Sequence, residues 1–82
     1  MNRQEIEKQV RGAFTSPGLA RDAALSEVRA FFDYPEALKA LRIEAGPEIP
    51  PSVAVLRRAL ERGGQWAWTA RHIPTNHEAS VA

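Results

Sequence analysis

The side chains able to do chemistry gather late in the chain. His72 and His77 stand beside Arg71 and Glu78, and a histidine next to a carboxylate can shuttle a proton as general acid or base. That chemistry also needs a nucleophile or a partner carboxylate held in place. No serine sits in a strained-turn context, there is no cysteine, and no two carboxylates have a telling spacing. Both histidines lie near the end, where preorganisation is hardest. His72 and His77 with Glu78 or Glu61 match no recognised metal-ligand pattern, and the groups that would hold such ligands in place by hydrogen bonds are not identifiable. No catalytic residue, cofactor site or metal site is therefore expected, and the chain does not read as an enzyme.

A different chemistry is more concentrated. Arg57, Arg58, Arg62 and Arg71 interleave with Trp66 and Trp68, both tryptophans of the chain. Tryptophan and arginine are the types most enriched at binding hot spots, through large contact area and bidentate hydrogen bonding. The expected partner-binding set is Trp66 and Trp68 as anchors with Arg58, Arg62 and Arg71 as a polar rim. The same interleaving suits phosphate contacts and base stacking. The net charge of only +1 argues against nucleic acid, as does the proline-laden connection from Gly46 to Pro51, long for a helix-turn-helix.

The elements that would position this segment read as short helices. In Asn2 to Phe14, the stripe Ile6, Val10 and Phe14 suits a helix that docks along an edge, on its own core or on another chain. Ser16 is placed to cap a second helix with Pro17 at its first position. That helix, Leu19 to Phe32, carries the expected core centre at Leu25, Val28 and Phe32. Asp33 is placed to cap a third, Pro35 to about Ala45, with Leu38 and Leu41 inward and Gly46-Pro47 closing it. Ser52 reads as the cap of a fourth helix, Val53 to Arg62, whose inner side is Val53, Leu56, Ala59 and Leu60. Gly63 suits the left-handed residue past a helix end.

From Trp66 to Ile73 the pattern alternates with period two, which predicts an extended strand ended by Pro74. Trp66, Ala70 and Ile73 also suit a period near 3.6, so a helix stays open. A lone strand would need an edge to pair with, on a partner or on a second copy. The expectation is a mainly α fold: three to four short helices in residues 1–74, one extended C-terminal segment, and a flexible tail at 75–82.

Composition bounds the rest. Eighty-two residues hold at most one domain, and so small a chain is marginally stable alone. Hydrophobic content of 44% and charged content of 26% are those of a globular protein. Charge is uneven: six acids and three bases lie between Asp22 and Glu48, four arginines and one acid between Val53 and His72. No apolar run approaches the roughly 20 residues of a membrane span, and Met1 leads into a charged helix and not an apolar signal region. A cytoplasmic location is expected.

Two resemblances follow. Phe31-Phe32-Asp33-Tyr34-Pro35-Glu36-Ala37-Leu38, Glu48-Ile49-Pro50-Pro51-Ser52 and Arg62-Gly63-Gly64 before an aromatic segment with Arg71 resemble the small alpha subunit of LigAB-type extradiol ring-cleaving dioxygenases. The likeness spans Leu19 to Ile73, and implies a largely non-catalytic chain that covers the mouth of a beta subunit's active site. The last helix looks shorter than in that family, and its Gly-Leu entry is absent. Asp22-Ala23-Ala24-Leu25, Tyr34-Pro35-Glu36-Ala37-Leu38 and Ile49-Pro50-Pro51-Ser52-Val53 are similar to nitrile-hydratase-like leaders of ribosomally made, post-translationally modified peptides. That likeness implies a leader at 1–64, cleavage after Gly63-Gly64 and a core peptide at 65–82, although Arg42 stands where such leaders carry glycine. The function expected first is a small non-catalytic interaction module, an accessory subunit or adaptor on a larger protein. Self-association through 65–73, the peptide precursor and a nucleic-acid regulator are the alternatives.

Overall fold

Ile6 and Val10, one helical turn apart, are fully buried, and they bring the first helix onto the chain's own core. The structure is a computed structural model that describes residues 1–72. These form four helices: α1 (Arg3–Ala13), α2 (Leu19–Asp33), α3 (Pro35–Ala45) and α4 (Pro51–His72). There is no strand among the described residues. The tail expected at 75–82, together with Ile73, Pro74, His77 and Glu78, lies outside the described residues.

Each helix starts where local chemistry allows. The Asn2 side chain accepts from the Glu5 amide at 2.9 Å and satisfies one of the orphan donors of α1. Gly18, not Ser16, precedes α2, with no side-chain cap, so Pro17 stays outside the helix. Tyr34 is extended, as the following proline demands, and serves as last cap of α2 and first cap of α3. Asp33 is thereby kept as the last residue of α2 and does not cap α3. Gly46 closes α3 at φ 99°, a left-handed conformation that favours glycine. Pro51 opens α4, where its missing N–H costs nothing, and Ser52 falls inside the first turn.

The core joins Ile6 and Val10 to Ala24, Leu25, Val28 and Phe31 of α2, Leu41 of α3, and Ala54, Val55 and Ala59 of α4. Phe31 is 8% exposed and Phe32 42%, which corrects the expected centre by one residue. Both phenylalanines fit the α2 stripe, and Phe31 is the one that joins the buried core. Val53, Leu56 and Leu60 of α4 are only half-buried, and Leu38 of α3 likewise. The α4 register is set by three neighbours, because α1, α2 and α3 all pack on it, α2 most extensively.

The largest departure from the sequence reading is α4 itself. It continues through Gly63 and Gly64 to His72 as 22 residues, about 33 Å at 1.5 Å per residue. Gly63 is not a stop but a contact. A Cβ there would stand 2.5 Å from Phe14 Cζ and 2.9 Å from the Ala20 carbonyl oxygen. Two mid-helix glycines each cost about 1 kcal/mol relative to alanine; close packing of Gly63 under Phe14 offsets part of that. Helix formers follow at Gln65, Ala67, Ala70 and Arg71, and the Thr69 hydroxyl donates to the Gln65 carbonyl one turn back at 2.9 Å. The period-two alternation of Trp66 to His72 was a coincidence of side-chain order. With Gly63 at Ala20 near the start of α2, the buried Ala54, Val55 and Ala59 lie along α2, antiparallel to it. The last turns of α4 run past the start of α2.

Candidate protein-contact surface

Trp66 and Trp68 are two residues apart on a helix and so point about 200° apart around its axis. They form two surfaces instead of the single patch expected of a strand face.

Trp68 lies on the side of α4 away from the core and is 53% exposed. Its ring stacks on His72 at a centroid distance of 4.3 Å and an interplanar angle of 13°. His72 Nδ1 is 2.8 Å from the Trp68 carbonyl oxygen, to which it donates, so backbone and ring both hold the imidazole. Glu61, Gly64, Gln65 and Thr69 complete a shallow depression beside the indole. Nothing lies within 4 Å of where a Gly64 side chain would begin, which leaves bare backbone one turn from a large aromatic ring. Arg71 is exposed one turn further on, adjacent to this face.

Trp66 and Arg62, one turn apart, face the start of α2. With Leu19, Asp22, Ala23, Ser26 and Glu27 they line a groove of about 330 Å³. Leu19 is 69% exposed, Trp66 38%. Leu19, Asp22, Ala23 and Ser26 follow the i, i+3, i+4, i+7 spacing of a second α2 stripe. Leu19, which lines this groove, is not among the residues singled out from the sequence. That stripe was legible as spacing, but a lone leucine among small and polar residues did not mark it as a surface.

Arg58 belongs to neither surface. Its guanidinium bonds the Glu44 carboxylate at 2.8 Å and lies 3.8 Å from Glu61, so it ties α4 to α3. With Arg58 held this way and Arg62 and Arg71 on different sides, these three arginines do not form one continuous stripe. A further cleft of about 600 Å³ between α3 and the 46–50 connection is lined by Lys39, Arg42, Ile43, Pro47, Ile49 and Pro50. It too was unforeseen, since it depends on how the prolines fold back on α3.

No polar or charged side chain is buried among the described residues, and none of their acidic and histidine side chains gather in threes as a metal site would. No described helix is long and apolar enough to cross a membrane. The Gly63-Gly64 pair sits inside α4, with Gly63 buried. Compared with known proteins, the chain matches no family model, no curated protein and no solved structure.

Proposed function

We propose that the chain is a small non-catalytic interaction module, an accessory subunit or adaptor that docks on a larger protein. The docking face is the outer side of the last turns of α4. Trp68 is the anchor, Arg71 the polar rim, and the bare backbone at Gly64 the recess that a partner side chain enters. One observation carries this reading: Trp68 is 53% exposed, yet its ring is stacked on His72. A large aromatic group fixed before binding loses little conformational entropy on docking. Covering of a partner's active site is the role that the alpha-subunit resemblance implies.

The test is binding of the purified partner by variants. Trp68→Ala is expected to weaken the complex by about 2 kcal/mol or more, roughly 30-fold, with the far-ultraviolet circular dichroism unchanged. Binding at wild-type strength would reject the assignment. So would loss of the helical spectrum, which would make the indole a structural residue.

A further inference from the structure

The groove between α2 and α4 carries opposite charge on its two walls. Asp22 and Glu27 stand on its α2 wall and Arg62 on its α4 wall, around the apolar Leu19, Ala23 and Trp66. None of the three charged groups forms an ion pair among the described residues. The ion pairs among the described residues join Arg3 and Arg29 to Glu7, and Arg58 to Glu44 and Glu61. The acids and the arginine line one groove without closing on each other within 4.0 Å.

We propose that this groove is an isologous contact whose occupant is a second copy of the same chain. A two-fold axis along the groove lays the α2 wall of one copy over the α4 wall of the other. Asp22 and Glu27 then face the partner copy's arginine twice over, once in each direction, while Leu19 and Trp66 of the two copies close the apolar centre. A patch of one sign would repel itself under this operation; acids on one wall and a cation on the other make the patch complementary to itself. The contact rests on the reading of the chain as an interaction module but uses a different face from Trp68. The two can therefore fail separately.

Sedimentation equilibrium of the full chain tests it. The wild type is expected to pass from monomer to dimer as concentration rises, with weaker association at high salt. Arg62→Glu alone places like charges opposite each other twice. The Asp22→Arg/Glu27→Arg variant does the same with the sign reversed. Each is expected to weaken self-association at least tenfold, and an equimolar mixture of the two to recover dimers, since every crossed pair is then of opposite sign. Leu19→Ser, at a well exposed position, removes apolar contact without touching the core and is expected to lower association too. It serves as the deciding variant if a charge variant does not fold. A wild type that stays monomeric up to about 1 mM, beyond the range of useful affinity, would overturn the proposal. Folded charge variants that dimerise as well as wild type, or a mixture that recovers nothing, would do so too. A monomeric wild type that still binds a partner through Trp68 would remove the dimer and leave the proposed function standing.

Discussion

Gly63 and Gly64 are chemically identical neighbours in opposite environments, and substitution separates them. Alanine at Gly63 would press its methyl group into the Phe14 ring and against the Ala20 carbonyl oxygen. The ring can turn aside; the α2 backbone cannot. Gly63→Ala is expected to cost about 1–3 kcal/mol as overpacking, despite better helix propensity. Gly64→Ala meets nothing and is expected to add up to about 1 kcal/mol. Urea unfolding of the two variants checks the pair, and equal shifts of the same sign would contradict this packing. None of this was legible in the sequence. A Gly-Gly after an amphipathic segment reads as a helix stop by local chemistry, whereas the reason for Gly63 lies in Phe14 and Ala20, distant along the chain. The choice between Phe31 and Phe32 escaped for a similar reason: one stripe admits both, and only the packing partner decides.

At the scale of elements, the first three helices were visible in their stripes and breaks, and their extents depart from the sequence pattern only at the caps. The proline at Pro35 and the glycine at Gly46 located the ends of α2 and α3 through backbone restriction alone, a local property. The course of α4 was not visible, because Trp66 to His72 satisfies two periodicities and the tie is broken by helix continuity from Pro51. Amide exchange tests that continuity. Amides from about Val55 to Gly63 face α1 and α2 and are expected to exchange slowly. Those of Trp68 to His72, past the start of α2, should exchange much faster while keeping helical ¹³Cα shifts. Extended shifts over 66–72 would restore the strand and break up both candidate surfaces.

For the molecule as a whole, α1 decides whether this chain folds by itself or leans on another. Its stripe is narrow, but Ile6 and Val10 are fully buried within this chain, and Arg29 of α2 lies 4.0 Å from Glu7. In so small a domain one such residue is a large share of the total stability. Ile6→Ala is expected to cost about 2–5 kcal/mol and to lower the thermal midpoint of the isolated chain. A negligible effect would mean that α1 is not docked in solution. Mainly helical character and the absence of any strand-dominated core were legible from composition and stripes. The division of the tryptophan–arginine segment into two faces was not, since it follows from a helix where period two suggested a strand.

The burial of Gly63 also bears on when the chain can be cut. A protease that reads a double glycine takes its substrate as an extended strand, so α4 must unwind there and Gly63 must leave the Phe14 ring. Cleavage between Gly64 and Gln65 would then be controlled by the opening of the fold, at a rate set by the population of the open form. Were such a protease to act on this chain, the Phe14 contact would serve as a latch on that peptide bond, leaving a newly made chain open to cutting and a folded one closed to it.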